Sequence, residues 1–384
     1  MTLQTRRIIY VGMILFFLIL APAVILYSLG YSYDWQKKTL VKTGAFYFES
    51  MPNGAQIFIN DKNYGKTDKF TKRLLPKDYK VSIIKDGFFS WEKQLKIESQ
   101  IVTEARNILL IPKNHNSKIV RENLPPNFDL IGYSVKTSEK QKMEQASTTA
   151  ASILKTNSFA SAGNSIFYLN QADNLLYESN LNGSSVSQIS LQPLPGSRSS
   201  SLPGEPNGIY KLSAQNSSRL AALNQNKDLY LFNPKTNLFD KIDSNVNGAE
   251  FSLDHKKIMY WTDSEIWVIY LEKIQIQPYK KAGEKELITR FAEKITSAIW
   301  YTEDNEHIIF VVGDTIKIIE LDGRDRRNVA NFIKMENFSP SAWNNPQLYY
   351  NLDKHLLYFI NNNKLYSAQI KSSQSLIQAT GLFN

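Results

Sequence analysis

A pattern that recurs about every fifty residues is the strongest constraint on what this chain of 384 residues can fold into. Three segments share it, beginning at Phe251, Tyr301 and Tyr350, and each has an Asp three residues later. An apolar strand, a short polar turn and a second apolar strand follow in every copy. The Asp positions 254, 304 and 353 are separated by 50 and 49 residues. That period suits one four-stranded blade of a β-propeller, so the pattern predicts a mainly β chain of repeated sheets.

Two weaker copies begin at Ser165 and Leu212, which brings the expected number of blades to five. A sixth is expected if residues 117–133 contribute strands. We predict that the inner strands include 258–261, 308–311 and 356–359, since each run is apolar enough to be buried on both faces. The next strands (266–271, 316–321 and 364–370) should lie antiparallel to them across the polar turns.

The turn before these strands resembles that of TolB-type propeller repeats, which have an F-S-P-D-G-like sequence. Here it is Phe251-Ser252-Leu253-Asp254-His255, without the usual Pro and Gly. The ends Leu321–Asp325 (LDGRD) and Leu181–Ser185 (LNGSS) are turn sequences that leave a strand. The resemblance implies a TolB-like or WD40-like propeller that serves as a binding platform.

The repeated aspartates have two interpretations, as metal ligands or as acceptors of backbone N–H groups in tight turns. We favour the turn role, because Asp commonly bonds its own backbone in this way. The four histidines, at 115, 255, 307 and 355, have no pair at metal-ligand spacing, and we expect them at the surface. No metal and no other cofactor is expected.

The chain also carries one uncharged apolar run, from Ile8 to Leu29, which is long enough to cross a bilayer as a helix. Tyr27, Tyr31, Tyr33 and Trp35 lie at its end, as in an interfacial aromatic belt. A cleavable signal peptide ending near Ala21-Pro22-Ala23 is the alternative. The apolar run continues beyond that point, which favours an uncleaved anchor.

The positive residues beside this run are nearly balanced, with Arg6, Arg7 and the α-amine before it and Lys37, Lys38 and Lys42 after it. We place the N-terminus in the cytoplasm, because the arginines adjoin the helix directly and a short tail is easily retained. The domains that follow are then extracytoplasmic, on a single-pass membrane protein.

Residues 44–112 read as a small β-module. Phe46 and Phe48 alternate with polar neighbours, Pro52-Asn53-Gly54 is a turn, and strands are expected at 55–60, 79–84 and 91–97. Gly65-Lys66-Thr67 indicates a close backbone approach or a bulge. Trp91 is expected in the core.

The order of these elements resembles the PEGA domain, an extracytoplasmic β-sandwich named for its Pro-Glu-Gly-Ala turn. The matching residues are Pro52-Asn53-Gly54-Ala55, Gly65-Lys66-Thr67-Asp68, Leu74–Tyr79 (LLPKDY) and Lys85–Trp91 (KDGFFSW), with Asn53 and Lys77 departing from the pattern. The resemblance implies a spacer or adhesive unit rather than a catalyst.

The predicted organisation is therefore a cytoplasmic tail (1–7), a transmembrane helix (8–30), a juxtamembrane linker (31–43), the PEGA-like module (44–112) and a propeller-like domain (113–384). Two polar insertions interrupt the last domain. Residues 134–152 are expected to form either a short exposed helix or a mobile loop. Residues 194–208 are rich in turn formers and too polar to be core.

Composition limits the function classes. The chain has no cysteine, which excludes disulfides and thiolate catalysis. Its net charge of +9 is spread along the chain without a dense basic run, so nucleic acid is not an expected partner. No nucleophile elbow, P-loop, dinucleotide fingerprint or HExxH motif occurs, and no catalytic, cofactor-binding or metal-binding residue can be named.

We therefore expect a membrane-anchored binding or scaffold protein of the cell envelope and not an enzyme. Its propeller would recognise a protein, a peptide or a cell-wall polymer, with the PEGA-like module as spacer. The alternative is a propeller hydrolase or lyase that acts on an envelope polysaccharide. Acidic and His or Arg side chains clustered in the propeller channel would distinguish it.

Overall fold

The computed structural model describes residues 3–115, 117–125, 128, 130, 137–194, 210–336 and 347–370. These residues form two compact units. The first comprises the chain up to residue 114 together with 324–328, and the second comprises 115–323 and 329–370. Strands dominate both units, as the aromatic and β-branched composition favours, so the prediction of a mainly β chain is confirmed.

The first unit begins with a long helix, α1 (Leu3–Ser28), which includes Pro22 in its interior. None of its residues is buried. It is long and apolar enough to cross a membrane, a property that a signal sequence near the N-terminus shares. The predicted apolar helix is therefore confirmed, and it starts five residues earlier than the uncharged run.

A β-hairpin follows α1, where the sequence indicated a linker. Its strands β1 (Tyr31–Asp34) and β2 (Thr39–Lys42) pair antiparallel. The carboxylate of Asp34 accepts the backbone N–H groups of Gln36 and Lys37, at 2.9 and 3.2 Å, which fixes the turn. The hairpin was not predicted because its strands have only four residues each, and the alternating tyrosines of β1 were interpreted as an interfacial aromatic belt.

The predicted β-module contains two sheets. A three-stranded sheet has the order β6-β3-β9, and a four-stranded sheet has the order β5-β4-β7-β8. Their buried faces share one core that includes Phe46, Phe48 and Trp91. The strands are β3 (Gly44–Met51), β4 (Gln56–Ile59), β5 (Lys62–Lys66), β6 (Lys69–Leu74), β7 (Asp78–Ile84), β8 (Trp91–Lys96) and β9 (Val102–Leu109).

The details of this module confirm most of what its sequence indicated. Trp91 is core, and the ladder of β4 and β5 shifts register at Tyr64, directly before the segment 65–67 where a bulge was one of the two expectations. Gly54 and Gly87 have φ of 72° and 81°, a region that favours glycine. Strands β5, β6 and β9 were missed. The first two are mostly exposed and polar, so they lack the alternation that a half-buried strand shows.

Gly44 opens β3 where the chain segment from Ile97 to Ile101 lies against its α-carbon. A β-carbon there would lie 2.4 Å from the backbone oxygen of Glu98 and 2.8 Å from that of Ile101. Gly44→Ala should therefore destabilise the module by about 3 kcal/mol, at the upper end of overpacking costs. Hydrogen exchange of the β3 and β7 amides measures the local free energy of opening.

Gly87→Ala is the matched control, because no heavy atom lies within 4 Å of its added β-carbon and only the positive φ disfavours alanine. It should cost about 1 kcal/mol. An equal loss of protection in the two variants would show that the close approach at Gly44 is not what limits this position.

Among the described residues, the second unit contains five antiparallel four-stranded sheets. The first two are β11 to β14 (Phe159–Ala162, Ser165–Leu169, Leu176–Asn180, Ser187–Gln188) and β15 to β18 (Tyr210–Asn216, Arg219–Asn224, Leu229–Asn233, Leu238–Asp243). The third and fourth are β19 to β22 (Gly248–Phe251, Lys257–Trp261, Glu265–Tyr270, Lys285–Arg290) and β23 to β26 (Ile295–Trp300, His307–Val312, Thr315–Glu320, Val329–Lys334).

The fifth sheet joins the two ends of this unit. It contains β27 (Leu348–Asn351), β28 (Leu356–Asn361) and β29 (Lys364–Ala368), and its outer edge is β10 (Lys118–Arg121), which precedes the first sheet. A sheet completed by strands from both ends of the domain closes a propeller. The described part of 117–133 thus completes the fifth blade and forms no sixth one.

The first strands of successive sheets contact one another, from β11 through β15, β19 and β23 to β27. They are therefore the innermost strands of the propeller, and the runs 258–261, 308–311 and 356–359, predicted among the inner strands, lie one position further out. Those runs are the second strands, β20, β24 and β28. They are apolar because they pack between neighbouring sheets. The predicted antiparallel partners are confirmed as β21, β25 and β29.

The first insertion contains a helix, α2 (Thr137–Ser152), so the helical alternative is confirmed. Ala146 and Ala150, four residues apart, are fully buried, and Ala146 packs against Ile166 and Tyr168 of the first sheet. The second insertion lies outside the described residues except for Leu194. That residue is 1 % exposed in the core between the first two sheets, which corrects its placement among non-core residues.

Candidate functional site

A cavity of about 390 Å³ lies in the second unit, where the first strands of the third, fourth and fifth sheets end. Its volume is in the range of small-molecule sites. We call it the Glu250 cavity. Its wall includes Glu139 of α2 and, from the strands and the turns after them, Glu250, Trp300, Thr302, Tyr349, Tyr350 and Asp353.

Three of these residues occupy one position of the repeat. Glu250, Trp300 and Tyr349 each come directly before the aromatic residue that opens a copy. The repeat therefore brings one residue from each of three sheets to the same wall. Sequence reasoning named no site residue, but one signal was present, because a carboxylate stands where the other two copies have an aromatic ring.

Strand alternation explains where Glu250 lies. Phe251 is buried in the core between the second and third sheets, and successive side chains of a strand point to opposite faces. Glu250 is half-buried and lines the cavity. Its carboxylate accepts the backbone N–H of Trp300 at 3.3 Å, and the Trp300 indole N–H donates to the Glu250 carbonyl at 2.9 Å. The fourth sheet thus holds the backbone of Glu250 firmly and its carboxylate weakly.

Burial raises the pKa of Glu250 to about 7. The N–H of Trp300 and the positive charge of Lys211 both act in the opposite direction, but they do not outweigh the burial. A carboxyl group with this pKa changes its charge near neutral pH. Ionisation of Glu250 in the folded chain therefore costs free energy.

Glu250→Gln should stabilise the second unit at pH 8 by about 1–3 kcal/mol, because glutamine carries no charge to desolvate. The raised pKa means that the folded chain binds more protons than the unfolded chain between pH 4.5 and about 7. Wild-type stability therefore falls as pH rises through this window. Urea unfolding at pH 5 and pH 8 measures the difference, and a gain of the same size at both values would contradict the assignment.

The repeated aspartates lie beside the cavity, in the turns between first and second strands. Asp254 accepts the backbone N–H of Lys256 at 3.1 Å, and Asp304 accepts that of Glu306 at 2.8 Å. The predicted turn role is confirmed for these two copies. In the third copy Asn351, two residues before Asp353, accepts the backbone N–H of Lys354 at 2.9 Å.

The histidines differ from the prediction that all four are surface residues. His307 is 4 % exposed, and its Nδ1 lies 2.8 Å from the carboxylate of Asp304. Burial lowers the pKa of His307, but the neighbouring carboxylates, Asp304 foremost, raise it overall. His355 bonds Glu303, which also accepts the Tyr350 hydroxyl at 2.6 Å. These side chains are structural links within the repeat.

Within the described residues, no group of three or more His, Cys, Asp or Glu side chains is arranged to hold a metal ion.

Comparison with known proteins identifies one part of the chain. The family model of the PEGA domain matches residues 43–109, so the N-terminal β-module is a PEGA domain. The comparison with curated proteins found no match.

Several solved structures resemble the chain weakly. The β-propeller domain of Cps50 (Swd1) from Myceliophteria thermophila is 10% identical, with a TM-score of 0.36 over 54% of this chain and 68% of that one. The tricorn protease is 14% identical, with a TM-score of 0.35 over 77% of this chain and 25% of that one, so the chain spans a quarter of that protein's length. The gluconolactonase XC5397 from Xanthomonas campestris is 10% identical, with a TM-score of 0.33 over 56% of this chain and 72% of that one. At these TM-scores, the propeller assignment depends on the chain's own sheet order.

Proposed function

We propose that this chain is a membrane-anchored, extracytoplasmic binding protein of the cell envelope. The helix α1 anchors it, the PEGA domain serves as a spacer, and the propeller binds a protein, a peptide or a cell-wall polymer at the Glu250 cavity. The observation that carries the binding role is the cavity itself, whose wall joins aromatic rings to a carboxylate at matching positions of the repeat.

The anchoring role is supported by α1 and by the hairpin after it. No residue of α1 is buried by the rest of the chain, so a bilayer would supply its apolar surroundings. The hairpin exposes Trp35 (82 %) and Leu40 (52 %). Thr43 ties the base of the hairpin to the helix end, since its N–H and its hydroxyl both donate to the carbonyl of Gly30. Tryptophan favours the interface between membrane and water, and Trp35 follows the end of α1.

Protease added to intact spheroplasts tests the anchor and its orientation together. If the N-terminus is inside, the part of the chain after Gly44 should be digested, while a fragment that contains α1 remains in the membrane fraction. Digestion only after lysis would reverse the orientation. A mature chain that begins near Val24 and separates from membranes would replace the anchor with a signal peptide.

The alternative function, a hydrolase or lyase of an envelope polysaccharide, draws on one observation. A carboxyl group with a pKa near 7 in a cavity is suited to general acid catalysis. The described lining of the cavity, however, contains no histidine, lysine or arginine to complete a catalytic set. Incubation with purified cell-wall polysaccharide should give binding without soluble products. Product release that Glu250→Gln abolishes would favour the enzyme.

A further inference from the structure

The aromatic wall and the single weakly held carboxylate of the Glu250 cavity point to one class of ligand. We propose that the cavity binds an alkylammonium group, which pairs with the Glu250 carboxylate and packs against the ring of Tyr349. This inference rests on the proposed function, because it names the chemistry that the binding site recognises.

The wall of the cavity has a chemistry that suits a cation. Tyr349 is the partly exposed ring on this wall, since Trp300 and Tyr350 are buried, and a cation beside an aromatic face is attracted by the ring quadrupole. The charged side chains of the wall, Glu139, Glu250 and Asp353, are all acidic. An anion would meet three carboxylates here and a neutral ligand would leave the charge of Glu250 uncompensated, whereas a cation pairs with it.

Two polar groups of the cavity have few hydrogen bonds of their own. The Glu250 carboxylate has one hydrogen bond, at 3.3 Å, from the Trp300 N–H. The hydroxyl of Thr302, on the same wall, is buried without a hydrogen-bond partner within the described residues. An ammonium group has three N–H donors. They are enough to bond the Glu250 carboxylate and also the Thr302 hydroxyl, once the Thr302 side chain rotates toward the cavity.

The charged groups around Glu250 define the pH dependence. Lys211, on the inner strand of the second sheet, acts on Glu250 as a positive charge and competes with a ligand cation. Glu139 and Asp353 reinforce the attraction, and the Tyr349 and Tyr350 hydroxyls stay neutral because burial raises their pKa values. Glu250 is thus the group on this wall that changes charge near neutral pH.

Calorimetric titration of the full chain in detergent tests the inference with three probes. Nα-acetyl-lysine N-methylamide represents a peptide lysine, 1,5-diaminopentane represents a free amine, and Nα-acetyl-norleucine N-methylamide is the isostere without the ammonium. At pH 8 the lysine probe should bind at least about tenfold more tightly than the norleucine probe. Binding should weaken about tenfold at pH 6, where most of the Glu250 carboxyl groups are protonated.

Variants show whether the cavity is responsible. Glu250→Gln should weaken lysine-probe binding about tenfold at pH 8 and remove its pH dependence, and Lys211→Met should strengthen it. Glu178→Gln, the same change outside the cavity, should have no effect. Preference for the lysine probe over 1,5-diaminopentane would indicate a peptide ligand, and the reverse preference a free amine.

The contradicting results are distinct from failure of the proposed function. Equal affinity for the lysine and norleucine probes, lost in Tyr349→Ala, would keep the cavity as a binding site and overturn the ammonium assignment. The same would follow from unchanged binding in Glu250→Gln. Absence of binding by every probe would overturn the inference as well, whereas the spheroplast experiment decides the anchor independently.

Discussion

Phe310→Ala is expected to destabilise the second unit by about 3–5 kcal/mol, the usual cost of deleting a buried aromatic side chain. Phe310 is fully buried in β24, in the core that the third and fourth sheets share. Its ring centroid lies 5.6 Å from that of Phe291. The substitution would leave a cavity between two sheets that cannot move together without disturbing the rest of the propeller. Urea unfolding, monitored by circular dichroism, measures the change in the free energy of unfolding.

Two substitutions in the same unit provide the comparison. Val329→Ala, on the outer strand β26 at a side chain 44 % exposed, should change stability by less than about 0.5 kcal/mol. Asp254→Ala should cost on the order of 1 kcal/mol, for the loss of a turn hydrogen bond. If Phe310→Ala cost no more than Asp254→Ala, the sheets would not be packed as described.

Lys257→Met should have a comparable effect, about 3–5 kcal/mol at neutral pH. The Lys257 side chain is 1 % exposed, and its ammonium lies 2.7 Å from the carboxylate of Glu306 and 3.8 Å from that of Asp254. Burial raises the pKa of Glu306 even with Lys257 in place. Without the lysine, Glu306 would be an uncompensated carboxylate, so the variant should lose stability steadily as pH rises above the ordinary glutamate pKa.

The double variant Lys257→Met/Glu306→Leu distinguishes this electrostatic cause from lost packing. Removing both charges should recover most of the stability, because an apolar pair of similar volume often replaces a buried ion pair without loss. Lys294→Met, which breaks the exposed pair with Asp263, should cost less than about 1 kcal/mol. If the double variant were as unstable as the single one, the ion pair would not explain the cost.

The sequence predicted the parts of the fold whose burial leaves a clear pattern. The second strands β20, β24 and β28 are apolar on both faces, so their existence, their partners and their period were recognisable. Their position in the sheet, one strand out from the innermost, was not recognisable from the sequence. The inner strands are less uniformly apolar, as in Gly248–Phe251, where the two central residues are only half-buried. An apolar run therefore marks burial between sheets and does not mark nearness to the axis.

The candidate site was beyond sequence reasoning for a related reason. Glu250, Trp300 and Tyr349 lie about fifty residues apart, and only the packing of successive inner strands brings them to one wall. The burial of His307 was missed because its partner, Asp304, is recognisable only once the turn is formed. For α2, a polar sequence left helix and loop open, and the burial of Ala146 and Ala150 selects the helix.

The most direct test of the account is the proton count when the lysine probe binds at pH 7, measured by calorimetry in two buffers of different ionisation enthalpy. Glu250, with a pKa of about 7, is half protonated there, and a bound cation favours its ionised form. We predict the release of up to about half a proton per ligand by the wild-type chain and none by Glu250→Gln. Binding heats that do not depend on the buffer in the wild-type chain would contradict the role of Glu250 as the cation partner.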